Sequence, residues 1–406
     1  VLTLVKRDSL ARNSALIMAS TVGTSALGYL FWLLAARQLA QPAVGTATAL
    51  ISAGTVVSMV SNLGIGHMFI QRLPGSPPPA WSRIVGAGLT LGCVATTVAA
   101  VAAVALLPSL AAGFHFLASS PGAVALVATA VTLTASTLLD YVFVARRASH
   151  GMFWRNVALA VGKLVVLLML TGAGMRSWGA VLLAWVLPSI VVTAYTVVSV
   201  RPRVDRLAAE VPAVGRALTG HHLINLAQAG PAALLPVLVT ARLGTDLNAH
   251  FYVAWMTASV LFMVSPAVAS ALYAERSNDS GATLRRAALV VLVVIAVPAF
   301  VLFAGGGRIL ALFSPSYATG GQILLQILVL AAIPDAITNL AVAHWRSIGR
   351  FRRCLRLNLL IAAVCLTLTW LWLPGSGIEG VGVAWLTGQG VGALAVAVLA
   401  VRKGHS

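Results

Sequence analysis

The chain has 406 residues, of which 59% are apolar and only 9% charged, with a formal net charge of +18. A water-soluble domain carries about 25% charged residues, so this composition excludes an ordinary soluble protein. The apolar residues gather into uncharged runs of about 18 or more, enough to cross a ~30 Å hydrocarbon core as a helix, and an all-α polytopic membrane protein is expected.

Twelve spans are expected, at residues 14–36, 43–70, 84–107, 121–144, 156–174, 178–200, 219–241, 249–273, 287–304, 322–345, 357–373 and 380–401. The first, led by Lys6, Arg7 and Arg12, has a longer apolar run than the core of a signal peptide and reads as a span. Pro188, Pro231, Pro236, Pro266, Pro298 and Pro334 fall inside spans, where neighbouring helices can re-satisfy the backbone. The joining segments are too short to hold a soluble domain. Cys93, Cys354 and Cys365 lack CxxC or metal-like spacing, so no disulfide frame, metal site or cofactor is implied.

With the N-terminus inside, 22 of the 27 lysines and arginines fall in inner segments and four in outer turns. The outer four are Arg37, Arg176, Arg242 and Arg308, and Lys163 lies within a span. That asymmetry supports the topology and puts both termini in the cytoplasm. The basic collar suits topogenesis and attraction to anionic lipid at the cytoplasmic face. Spread over short loops, it does not suggest nucleic acid.

Shifted by about 200 residues, the sequence echoes itself, in the manner of parallel-repeat transporters. FWLLAARQL falls over LPVLVTARL, placing Arg37 within one position of Arg242; LLAWVL falls over GVAWLT, placing Trp185 on Trp385; Asn156 has its counterpart in Asn358. Two six-helix lobes follow, an N-lobe at 1–200 and a C-lobe at 219–406, joined by a cytoplasmic linker at 201–218. Such halves rock about a site near the midplane. Arg37 and Arg242 end outward-going helices and read either as anchors that snorkel to headgroups or as a gate or headgroup contact.

A charge inside a span costs about 2.5–3.5 kcal/mol on insertion scales, so each raises a functional question. Lys163 and Asp140 read either as an ion pair across spans four and five or as functional residues. Asp335, directly after Pro334 and four residues before Asn339, is the stronger candidate for a cation-coupled carboxylate, with Asp140 as the other. In span seven, His221, Asn225 and Gln228 share one face of a helix. Asn13, Ser20 and Thr24 form a stripe in span one, and Thr48, Ser52, Thr55 and Asn62 another in span two. These stripes read either as the lining of a hydrated cavity or as close helix packing by small and hydroxyl residues. No GxSxG, HExxH, Walker A or Asp-rich stretch is present, and an enzyme is not expected.

The stretch NSALIMASTVGTSALGYLFWLLAARQLAQPAVGTATALISAGTVVSMVSNLGIGHMFIQRLP resembles the opening of bacterial polysaccharide-biosynthesis membrane proteins. These are the O-antigen and exopolysaccharide flippases of the multidrug/oligosaccharidyl-lipid/polysaccharide (MOP) exporter superfamily. The resemblance rests on the Ala-Arg after the first span, Gly45, the LGIG at 63–66, Arg72, and GVGVAWL near the last span. It implies a V-shaped pair of six-helix lobes around a central, often cationic cavity. Its implied substrate is an undecaprenyl-diphosphate-linked oligosaccharide, flipped by alternating access across the bacterial cytoplasmic membrane for cell-surface polysaccharide synthesis. Polymer-assembly proteins such as a polysaccharide polymerase are the implied partners. The deep parts of spans one, two, seven and eight carry no arginine or lysine, so cavity charge must come from Lys163, Arg37 or Arg242. His221, Asn225, Gln228 and Asn62 complete the candidate lining. Two rivals stand beside this reading. A MATE-like cation-coupled drug or metabolite antiporter would use a buried acid such as Asp335. A membrane-embedded polysaccharide polymerase or ligase would need a larger outer loop than any here.

Overall fold

The computed structural model describes residues 22–205, 207–218, 222–275 and 283–404, whose regular structure is entirely helical. Helix α1 covers 22–38. The first half continues with α2 (Gln41–Ser61), α3 (Ile65–Arg72), α4 (Pro78–Leu110), α5 (Ser120–Ala145), α6 (Ser149–Gly172), α7 (Trp178–Val200) and α8 (Leu207–Ala217). The second contains α9 (Leu223–Leu243), α10 (Thr245–Glu275), α11 (Thr283–Ala311), α12 (Pro315–Ser347) and α13 (Phe351–Gly404). Ten of these are long and apolar enough to cross a membrane. Helix α13 breaks at Gly377, whose φ of 58° is left-handed, into two arms. Counted as two arms, α13 brings these to eleven among the described residues, and the first expected span, 14–36, is described only from residue 22.

Two expectations need correction. The second span, 43–70, is not one helix: α2 ends at Ser61 and α3 starts at Ile65. Between them Leu63 and Gly64 adopt φ of 53° and 74°. A side chain at Gly64 would meet the Ala217 carbonyl oxygen at 2.5 Å, so glycine is needed both for the turn and for the close approach. The segment after α7, expected as a plain linker, contains α8, eleven residues long with Ala213 and Val214 buried on one face.

The chain forms two compact units, divided between Leu226 and Ala227. In the first, α2 packs on α4, α5 and α7. Lipid tails are as apolar as leucine, so helices in a bilayer associate through close packing and hydrogen bonds rather than through hydrophobicity. Accordingly, Thr134 Oγ1 on α5 donates to Ser58 Oγ on α2 at 2.8 Å and lies 2.9 Å from Thr96 Oγ1 on α4. Ile65 and Phe69 of α3, Val85 of α4, Leu139 of α5 and Val214 of α8 form one apolar cluster at the end of this unit. Val94, Val98 and Val101 point outward from α4 at helical spacing, the face a helix offers to lipid.

In the second unit α12 is central and packs on α10, α11 and α13. Its Leu324, Leu325, Leu328, Ala331 and Ala332 are almost wholly buried. Glycines bring partners close: a side chain at Gly382 would meet Leu324 Cδ1 at 2.8 Å. Val293, Val297, Phe300 and Val301 of α11 face outward.

Candidate functional site

The polar residues inside the helices fall into four groups, two of which lie within the first unit's spans. Asp140 does not pair with Lys163, as one sequence alternative had it. Its carboxylate accepts from Arg155 at 2.7 Å, and the guanidinium also donates to Ser136 Oγ at 2.5 Å and to Asn156 Oδ1 at 3.3 Å. The Arg155 side chain is only 3% exposed and that of Asp140 34%, so this is a capped internal charge. The helix explains the choice of partner. Helix α6 starts at Ser149, so Arg155 sits in its second turn beside the end of α5, whereas Lys163 lies eight residues further, about 12 Å along the axis.

Lys163 instead places its ammonium 3.3 Å from the ring centroid of Trp185 on α7. Trp185 packs against Phe31 and Trp32 of α1, with centroids 5.5 and 5.8 Å away. Neither ion pair among the described residues includes Lys163. An ammonium against a π-face is stabilised by the ring quadrupole while keeping its charge for another partner.

A third group surrounds the break between α2 and α3. Asn225 Nδ2 lies 3.3 Å from His67 Nε2, and the His67 ring is 5.9 Å from that of Tyr141. His222 Nε2 lies 3.3 Å from the Val60 carbonyl oxygen, and Asn62 Oδ1 accepts from Gly66 N at 3.5 Å. Two sequence candidates, Asn62 and Asn225, therefore each have partners at this break, in company the sequence reading had not named: His67, Tyr141 and His222. GHMF and GHHLIN each flag a histidine at the edge of an apolar run, which was the available signal. That His67 lies beside Asn225, more than 150 residues later, was not readable.

The fourth group belongs to the second unit. Asp335, 6% exposed, accepts from Asn339 Nδ2 at 2.8 Å, one turn along α12. Thr338 donates to Gln389 Oε1 on α13 at 2.9 Å. Gln228 of α9 accepts from Arg346 at 2.8 Å.

Other candidates are more peripheral. Arg37 is exposed near the end of α1. Arg242, also exposed, holds its guanidinium 3.5 Å from the centroid of Trp370. His221, Asn13 and Ser20 lie outside the described residues. In the α2 stripe, Thr48 and Ser52 are buried and Thr55 returns its hydroxyl to the Ile51 carbonyl. The three cysteines are free thiols, and no metal-binding group occurs among the described residues.

No protein-family model matches the sequence, and no curated protein matches it significantly. Solved structures do match. "Lipid II flippase MurJ, inward closed conformation" aligns with a TM-score of 0.77 at 12% identity, covering 96% of this chain and 87% of that one. A "multidrug resistance MATE family transporter of the MOP superfamily" in an inward-facing conformation aligns at 0.66 and 14% identity, over 93% of this chain and 94% of that one. A "MOP superfamily transporter from Pyrococcus furiosus" aligns at 0.60 and 13%, over 97% and 95%. These names denote transporters and flippases, not enzymes. The chain is thus a multi-pass membrane protein with the fold of MOP-superfamily transporters.

Proposed function

We propose that the protein is a flippase that carries a lipid-linked, anionic oligosaccharide across the bacterial cytoplasmic membrane by alternating access. Its substrate is an undecaprenyl-diphosphate-linked sugar chain used in cell-surface polysaccharide synthesis, handed on to polymer-assembly proteins. Lys163 carries the reading. A cation has been placed within a span, on an aromatic face and without an ion-paired carboxylate among the described residues. A diphosphate with attached sugars cannot cross hydrocarbon unaided, because leaving water costs far more than thermal energy supplies. A cation inside a membrane protein can replace part of that hydration. The likeness to a lipid II flippase along nearly the whole chain supports the same reading. In this proposal the lobes are residues 1–200 and 219–406, the arginine-rich loops and both termini face the cytoplasm, and Arg37 and Arg242 sit at the outer surface.

The test is flipping of a fluorescent undecaprenyl-diphosphate oligosaccharide by purified protein in liposomes. Lys163→Met should slow flipping at least tenfold in protein that remains folded. Wild-type rates in that variant would remove Lys163 from the mechanism. A second reading, cation-coupled antiport, is favoured by Asp335, a buried carboxylate that accepts from a neutral amide on its own helix and forms no ion pair among the described residues. Ethidium export lost in Asp335→Asn, with no flipping by the wild type, would select it.

A further inference from the structure

The first unit has a cavity of about 800 Å³ at one end, among the loops before α4, after α5 and after α7. Four arginines line it, Arg146, Arg147, Arg201 and Arg203, and no acidic residue does. Both ion pairs among the described residues use other arginines. The frame is fixed by hydrogen bonds: Ser82 Oγ donates to the Arg201 carbonyl at 2.6 Å, and Arg203 N donates to the Ser82 carbonyl at 3.0 Å. Arg146 rests its guanidinium 4.2 Å from the centroid of Trp81.

Arginines at helix ends have an ordinary explanation. The C-termini of α5 and α7 each present about half a negative charge, which a cation complements. Two such ends against four arginines leave a surplus of roughly three positive charges, to which the positive N-terminus of α4 adds about half a charge.

The backbone supplies an independent observation. Helices commonly close on a residue in the left-handed region, where glycine is favoured because a Cβ is strained there. This chain follows the rule at Gly174, Gly244 and Gly349, with φ of 87°, 88° and 70°. It departs from it after α2, where Leu63 has φ of 53° and glycine follows at 64, and at α5 and α7, where Arg147 and Arg201 adopt φ of 55° and 51°. The α5 end has the same bonding as the ends at Gly174 and Gly349: Arg147 N to Val144 O at 3.0 Å and Ala148 N to Phe143 O at 2.9 Å. Glycine would serve that turn better. The two helix ends that keep arginine in the strained conformation are the two whose arginines line this one cavity. Strain retained against a better local residue marks a side chain kept for another purpose.

We propose that this cavity binds the phosphate group of an anionic ligand. Guanidinium forks match phosphate oxygens in bidentate pairs, and the volume lies within the range of small-ligand sites. The site lies among loops, away from the span residues assigned to transport, and does not depend on that assignment. The phosphate comes either from a lipid headgroup at the membrane surface or from a soluble phosphate compound.

Calorimetry on the purified full chain in neutral detergent separates these sources, with short-chain phosphatidylglycerol and inorganic pyrophosphate as probes and short-chain phosphatidylcholine as blank. Wild-type protein should bind at least one of the first two. Binding of phosphatidylglycerol alone assigns the headgroup, pyrophosphate alone the soluble source, and both a site for phosphate as such. The Arg147→Gly/Arg201→Gly double variant should lose affinity at least tenfold while its melting temperature rises or holds, because glycine relieves both strained turns. Arg350→Gln/Arg353→Gln, basic residues of the second unit, should leave affinity unchanged. The proposal is overturned if neither probe binds the wild type, if the glycine variant keeps wild-type affinity, or if the second-unit control loses as much. A lower melting temperature in the glycine variant would also overturn it, since the arginines would then be present for structure.

Discussion

Trp185 in the first unit and Trp385 in the second stand at equivalent places in the sequence repeat, and both are enclosed by aromatic rings from an earlier helix of their own unit. Phe31 and Trp32 of α1 surround the first, Trp255 and Phe262 of α10 the second. In both, the indole N–H is buried without a hydrogen-bond partner among the described residues. The surroundings then diverge. The register that sets Asn156 on Asn358 sets Lys163 on Cys365, a fully buried thiol. A side chain at Gly162 would meet Pro188 Cβ at 2.9 Å, whereas in the second unit the glycine is on the opposite helix, Gly388, where a side chain would meet Cys365 Cβ at 3.1 Å. The repeat thus keeps aromatic packing and one close helix approach, while charge is free to differ. The first unit holds its buried charge as cation on ring and as Asp140–Arg155; the second holds Asp335 against an amide. Function is to be sought in the positions where the halves disagree.

The largest effect expected is at the internal ion pair, which the hydrogen bonds of Asp335 do not parallel. Asp140→Ala leaves the Arg155 guanidinium, 3% exposed, without its counter-charge. Such a loss should cost about 3 kcal/mol, read as a lower SDS fraction at the unfolding midpoint. Asp140→Leu with Arg155→Met should recover most of it, because the uncompensated charge is then gone. A single variant as stable as wild type would mean that the pair is solvated and that the units differ less than the geometry shows.

Gly64→Ala in the first unit and Gly349→Ala in the second come next. Both glycines have left-handed φ, but the first also abuts the Ala217 carbonyl while the second faces open space. The first should destabilise by about 2 kcal/mol and the second by about 1. Equal losses would show that α8 yields, and that its junction with α3 is not rigid.

The cation–π contact is smaller. A double-mutant cycle on Lys163→Met and Trp185→Leu should give a coupling of about 1 kcal/mol in the same unfolding assay. The corresponding cycle on Cys365 and Trp385 should give none. Coupling of equal size in both units would mean that packing alone is being measured.

What the sequence revealed follows from which forces leave a linear trace. The crossings were legible because charge-free runs and the arginine asymmetry depend on composition alone. The break at Leu63–Gly64 was not, because SNLGIG is apolar and hydropathy does not register a left-handed turn. Helix α8 was missed because its eleven residues sit in a basic segment, and its buried face has meaning only against α3 and α4. Arg155 was placed in a loop because hydropathy put the start of the span at Asn156, whereas the helix begins at Ser149. That one misplaced boundary concealed the true partner of Asp140. Lys163 was found as an anomaly, but its aromatic seat depends on α1, more than 100 residues earlier.

The smallest effect concerns Thr338, whose hydroxyl reaches Gln389 across α12 and α13 in a wholly buried position. Hydrogen bonds between membrane helices average only about 0.6 kcal/mol, because the unfolded helices also find polar partners within the bilayer. Thr338→Val keeps the shape and removes the donor, so it should cost about that much and leave the Asp335–Asn339 contact intact. Thr134→Val in the first unit cuts a chain of three hydroxyls joining α2, α4 and α5 and should cost more. The reverse order would make the Thr338–Gln389 bond part of a larger network around Asp335. The carboxylate would then be held by both helices rather than by α12 alone, and the two units would be alike in fixing their buried charge between helices.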